Sequence, residues 1–161
     1  MPYVMRIYCD GGCRGNGRPG AIGAAAIVWK KQKQTWRHRS SVALPRSPPP
    51  TNQRAELTAI ILALTKALEK YEALDSYPYV KVNIKTDSKY AIGCMNEWIH
   101  TWRKNGWRNS RGQEVVNRDL IQYAYDLDQR LKAKGTVTYQ WVPREDNKVA
   151  DQLANDNMDS Q

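Results

Sequence analysis

Four acidic residues far apart in the chain, Asp10, Glu56, Asp87 and Asp151, stand where carboxylates can do chemistry. Asp10 closes the apolar run "YVMRIYCD", and Asp87 closes the alternating run "YVKVNIKTD". If those runs are parallel neighbouring strands, both acids leave the same edge of a sheet, where open α/β folds place their sites. Glu56 falls near the start of a long apolar helical segment and Asp151 near the start of the last one. Taken singly, each also reads as a cap or a surface charge, because a carboxylate is favoured near a helix N-terminus. Taken together, four converging acids with no basic partner repel one another unless cations neutralise them. Hard divalent ions want oxygen ligands, and Mg²⁺ uses a few carboxylates with waters and substrate phosphate. Two such ions about 3.5–4 Å apart can activate a water and stabilise the leaving oxygen of a phosphodiester.

The rest of the chain has the opposite sign. Its 25 Lys and Arg against 16 Asp and Glu give a net charge of +9. Such a balance attracts polyanions, nucleic acid first among them, although charge alone also reads as simple solubility. A basic body around an acidic, metal-filled centre suits cutting nucleic acid. The three cysteines, Cys9, Cys13 and Cys94, form no CxxC pair. They argue against a disulfide framework or structural zinc and favour a reducing, intracellular setting. No apolar run approaches the roughly 18 residues of a membrane span, and the amino-terminal apolar part is too short for a signal peptide. The 161 residues read as one domain, long enough to bury a core.

The elements that must position the acids follow from periodicity and punctuation. Tyr3–Cys9 is apolar and β-prone, Ala21–Trp29 is a second strand of small residues, and Thr35–Leu44 is a third, more polar and nearer an edge. Glycines after Asp10 read as a loop, and "PRSPPP" stops regular structure. Thr51 or Asn52 caps a central helix reaching about Tyr71, apolar on more than one face. Val80, Val82, Ile84 and Thr86 alternate with polar residues along a half-buried strand. A short helix spans about Ser88–Asn96, with Ser88 as its cap, before a Trp-rich basic stretch running to Arg111. Leu120, Ala124, Leu127 and Leu131 mark an amphipathic helix closed by Gly135. Val137–Val142 is a fifth strand, and Asn147 caps the last helix. Three strands followed by alternating helices and strands imply a layered α/β domain with a mixed sheet.

Five motifs, "DGGCRGNG", "TNQRAEL", "TDSKYAI", "WIHTWRKNGW" and "NKVADQLAN", resemble in order and spacing those of the ribonuclease H family, type 1 class. The resemblance covers Tyr3 to Asn155. It implies a five-stranded mixed sheet with helices on both faces and a single catalytic domain without a separate amino-terminal hybrid-binding module. The implied reaction is endonucleolytic hydrolysis of the RNA strand of RNA/DNA hybrids, using two Mg²⁺ or Mn²⁺ ions and leaving 5′-phosphate and 3′-hydroxyl ends. The family's metal-binding carboxylates fall on Asp10, Glu56, Asp87 and Asp151. Its RNA-reading positions fall on Asn16, Asn52 and Gln53, with backbone near Cys13 and Gly15, and the 2′-OH is the group that tells RNA from DNA. Glycine backbone beside Asp10 would permit close approach of the substrate. The alternatives are a hybrid-binding module that has lost catalysis, or an enzyme of the same fold acting on another substrate. A monomer is expected.

By the same resemblance, residues 96–112 form a basic protrusion that grips the DNA strand. Trp102 matches the aromatic that packs on deoxyribose, and Arg103 and Lys104 supply phosphate attraction that falls with salt. Trp98 and Trp107 read as packing for this subdomain. Ser110, Thr51 and Asn117 match further DNA-strand contacts, the last two in a phosphate pocket. The Arg that often stands two residues before the Thr is here Pro49, leaving a weaker pocket or one filled by a base such as Arg46. Many members also carry a catalytic-loop His before the last helix. Here the segment is "VPREDNKVAD", shorter and without His, as in other short-loop members, so its absence does not exclude activity. Neither His38 nor His100 can be assigned that role from sequence. Glu145 is a candidate substitute, since a carboxylate can shuttle a proton; it reads equally as a solvated loop acid.

Overall fold

The computed structural model describes residues 2–30 and 37–161. Among them a five-stranded sheet runs in the order β3-β2-β1-β4-β5. The strands β1 (Tyr3–Arg14), β2 (Ile22–Lys30) and β3 (Arg37–Ala43) form an antiparallel meander. On the other side of β1, β4 (Val80–Thr86) and β5 (Gly135–Trp141) add in parallel. The mixed α/β architecture is the one expected from sequence. Thr35 and Trp36, assigned there to the third strand, lie outside the described residues.

The glycines after Asp10 depart from expectation. They are strand, not loop: Gly11 pairs with Ala25, Gly12 with Ala24 and Cys13 with Gly23. A Cβ at Gly11 would collide with the backbone carbonyl of Ala55 in the first turns of α1 (Asn52–Glu72). The missing side chain thus lets β1 press against α1 and draws Asp10 toward Glu56, the residues adjoining that contact. Thr51 caps α1, its hydroxyl accepting from the Arg54 N–H at 3.0 Å. Leu57, Ile60 and Leu64 are fully buried, and α1 packs on β1, β2 and the later helix of residues 118–132. In β4, Val80, Val82, Ile84 and Thr86 are buried, as the alternation requires.

Ser88 caps α2 (Lys89–Gly93), accepting from the Ala91 N–H at 3.0 Å. The helix does not end near Asn96: a π-helical turn, Cys94–Trp98, carries it into α3 (Ile99–Lys104). The helix α4 (Arg118–Lys132) buries Ile121, Ala124, Leu127 and Leu131. Gly135 does not close it. The helix is capped at Ala133, and Gly135 opens β5, where a Cβ would collide with the Val80 carbonyl.

The last helix, α5 (Lys148–Asp159), covers the sheet face opposite α1. Ala24 and Ala26 meet Ala154 and Met158 there, while Ala25 and Ile27 belong to the main core under α1. Asn147 stands at the cap position, but its side chain makes no capping bond. Its Nδ2 donates to the Cys9 carbonyl at 2.8 Å, while its own carbonyl accepts from the Asp151 N–H at 3.1 Å. One residue therefore ties the start of α5 to the strand position before Asp10.

Candidate active site

Four elements deliver the four acids to one place. Asp10 lies within β1, Glu56 in the second turn of α1, Asp87 directly after β4 and Asp151 in the first turn of α5. All four line a cavity of about 690 Å³. Asp10 is only 8% exposed. Burial, reinforced by the Asp87 and Asp151 carboxylates, pushes its pKa up to about 8. Burial also raises Glu56, with Asp87 adding to the rise and the Ser88 hydroxyl opposing it. That hydroxyl donates to Glu56 Oε2 at 2.6 Å. The site therefore holds more negative charge than its own groups neutralise, which is the electrostatic condition for taking up cations.

Among the described residues, no three His, Cys, Asp or Glu side chains close into a ready-made metal cage. The acids instead stand around an open cavity. This donor set fits an ion of the Mg²⁺ kind, which binds through one or two carboxylates and keeps waters that substrate oxygens replace. Oxygen-only donors without thiol or imidazole fit hard cations and disfavour zinc or copper.

Around the acids, Cys13 and Asn52 line the same cavity. The Asn16 Oδ1 accepts from the Asn52 N–H at 2.9 Å, so the turn after β1 is fastened to the start of α1. Gly15 takes a left-handed φ of 82° within that turn. Gln53 Oε1 accepts from Asn117 Nδ2 at 3.4 Å. Asn117, itself left-handed at φ 65°, also donates to the Tyr90 hydroxyl at 3.0 Å.

The residue 2–159 span matches the RNase H family model, which takes in the carboxylates and everything placed around them. The chain belongs to the RNase H family. It is 32% identical to a ribonuclease H of Pseudomonas fluorescens, across 99% of this chain and 95% of that protein. It is 37% identical to one of Cupriavidus metallidurans, across 94% and 92%. Among solved structures, the amino-terminal RNase H domain of a Mycobacterium tuberculosis protein aligns at 26% identity with a TM-score of 0.66, covering 98% of this chain and 95% of that one.

The Trp-rich basic stretch is built on stacked rings. Trp102 stacks on buried Trp107, with ring centres 6.3 Å apart and planes 29° apart, and tilts against Trp98 at 6.0 Å. Arg103 lies over the Tyr125 ring at 4.5 Å, and Lys104 and Ser110 are exposed. The cation that reaches Asn117 is Arg54, which the sequence reading did not single out. Its Nη1 donates to Asn117 Oδ1 at 3.3 Å, and its guanidinium grips both Asp119 oxygens at 3.0 and 2.8 Å.

The loop before α5 sends two neighbouring side chains to different cavities. Glu145 does not join the carboxylates; it is exposed and lines a separate, smaller cavity with Tyr8, Val28 and Asn147. Its neighbour Arg144 faces the acids instead, lining their cavity together with Trp141. Neither histidine lines it: His38 meets Trp29 edge-on in the β2–β3 ladder, and His100 is exposed on α3. Sequence reasoning thus missed Arg144, Trp141, Arg54 and the Ser88–Glu56 bond. Only Ser88 carried a signal, as a hydroxyl placed directly after a candidate ligand.

Proposed function

We propose that the protein is a ribonuclease H that hydrolyses the RNA strand of RNA/DNA hybrids through its Asp10, Glu56, Asp87 and Asp151 carboxylates, releasing 5′-phosphate and 3′-hydroxyl ends. The observation that carries this reading is the lining of one cavity by four acids, where burial and the neighbouring Asp87 and Asp151 carboxylates hold Asp10 far above the usual carboxylate range. Two Mg²⁺ ions, with Mn²⁺ as substitute, would supply the Lewis acidity that activates the attacking water and stabilises the departing 3′ oxygen.

The chain's own residues do the rest. Asp10, with Asp87 and Asp151 close enough to raise it, would hold the metal together with them and Glu56. Ser88 holds the Glu56 carboxylate by a single short bond and so fixes its aim. Arg144 places a positive charge in the cavity, suited to a substrate phosphate. Asn16, Asn52 and Gln53, with the backbone at Cys13 and Gly15, read the 2′-OH groups of the cut strand. Trp102 packs on a deoxyribose of the other strand, Arg103, Lys104, Thr51 and Asn117 hold its phosphates, and Ser110 adds a further contact to that strand. One chain supplies every residue named, so the working unit is a monomer, and its substrate occurs inside cells.

The test is a labelled hybrid incubated with Mg²⁺ and then with chelator, beside duplex RNA and duplex DNA. Cleavage confined to the RNA strand of the hybrid and stopped by the chelator is expected. Asp10→Asn should nearly abolish it while circular dichroism stays unchanged; normal cleavage by that variant would overturn the reading.

A further inference from the structure

The end of β5 carries a large aromatic ring where the core no longer needs one. Val137 and Tyr139 point into the core, and Trp141 continues their side of the strand but is 46% exposed. It lines the cavity of the four carboxylates. The ring is also held: its Nε1–H donates to the backbone carbonyl of Asp87 at 3.2 Å. The ammonium of exposed Lys89 lies 5.1 Å from the ring centre. Trp141 is registered against Thr86, the residue before Asp87, and β5 stands two strands from β1. With strands about 4.8 Å apart, the Trp141 backbone stands roughly 10 Å along the sheet edge from that of Asp10. It lies beyond Asp87, on the side away from Gly11–Cys13.

We propose that Trp141 and Lys89 form a contact for the RNA strand beside the cleaved phosphate, the indole packing on a ribose and the ammonium pairing with a flanking phosphate. The inference rests on the hybrid-cleaving function above. Whichever strand is cut must pass the carboxylates, so a surface roughly 10 Å from them meets the cut strand. A strand that stays base-paired offers no free base face; what it shows is an alternation of sugar and anionic phosphate. A pinned ring with a cation at its side matches that alternation, and the cation is drawn to both ring and phosphate.

The experiment compares wild type, Trp141→Phe, Trp141→Ala and Lys89→Gln. Steady-state cleavage of a short hybrid is measured, with binding of the same hybrid in chelator across a salt series. Trp141→Ala should raise KM about tenfold, as loss of an aromatic platform does, with a much smaller change in kcat. Trp141→Phe, which keeps a ring but no N–H, should stay within about twofold of wild-type KM. Lys89→Gln should lower the slope of log Kd against log salt by about one, and Trp141→Ala should leave that slope alone. Equal losses of kcat in both Trp141 variants at constant KM would show that the ring serves only the Asp87 carbonyl and would overturn the proposal. An unchanged salt slope in Lys89→Gln, a surface change that does not threaten folding, would overturn it too. Wild type that cleaves normally beside insensitive variants discards this contact alone; wild type that cuts no hybrid discards the broader function as well.

Discussion

The hydroxyl of Ser88 serves two masters: it accepts the Ala91 N–H at 3.0 Å and donates to Glu56 Oε2 at 2.6 Å. The cap of α2 and the aim of the Glu56 carboxylate on α1 therefore depend on one atom. Ser88→Ala should cost about 1 kcal/mol from the lost cap alone. It should also remove the bond that favours the charged form of Glu56, so that burial raises this carboxyl further. The acid limb of the rate profile should then move to higher pH, and Ser88→Thr should restore it. Urea unfolding and kcat against pH report the two effects separately.

Asp10 makes stability depend on pH in the unusual direction. Its pKa rises from an ordinary 3.8 to about 8, so the native state keeps a proton that the unfolded chain has released. The native state binds more protons between those values, and stability falls as pH rises through the window. Without metal, Asp10→Asn should therefore melt at the wild-type temperature near pH 4 and increasingly above it toward pH 8. Added Mg²⁺ at pH 8 should raise the wild-type Tm more than that of the variant, because binding neutralises the repulsion. Thermal melts in chelator and in Mg²⁺ read both.

Gly11 and Gly12 are adjacent in sequence and unequal in space. A Cβ at Gly11 meets the backbone of Ala55, whereas at Gly12 it meets only the mobile end of Met158, at 3.0 Å. Gly11→Ala should destabilise by about 3 kcal/mol or more, and Gly12→Ala by about 1 kcal/mol. Denaturant midpoints of the pair test the difference, and equal midpoints would discard the close passage of β1 over α1.

The neighbours Arg144 and Glu145 should behave oppositely. Arg144 lines the cavity of the acids, and Glu145 does not. Arg144→Ala should lower kcat/KM on hybrid about tenfold or more, in keeping with the loss of a charged hydrogen-bonding partner of a phosphate. Glu145→Ala should keep turnover across the pH range. Kinetics on the two variants side by side decide this.

Much of this was legible because it rests on local periodicity. The alternation Val80 to Thr86 marks one face of β4, and the spacing of Ala124, Leu127 and Leu131 marks the buried stripe of α4. Asp87 was legible as a strand-end acid and Glu56 and Asp151 as helix-start acids, whereas Asp10, read as a strand end, lies within a strand that runs on to Arg14. What local pattern could not show depends on partners distant in the chain. Gly11 looks like a turn residue until Ala55 is laid against it, and Gly135 looks like a helix stop until Val80 is. Asn147 has the chemistry of a cap, yet the Cys9 carbonyl claims its side chain. Which of Arg144 and Glu145 faces the acids is decided by the path of a short helical turn, Arg144–Asp146, for which neither residue type carries a signal.

The π-helical turn at Cys94–Trp98 holds a further consequence. Such a turn accommodates a surplus residue within a helix, and each residue of an α-helix accounts for about 100° of rotation. Excising one residue there would close the segment into unbroken α-helix, the turn having already absorbed the surplus rotation, so that Trp102 keeps roughly its present face while Ser88 and Asp87, upstream, stay where they are. The stretch Cys94–Trp98 is thus where a single-codon deletion should be absorbed with least disturbance to the residues on either side.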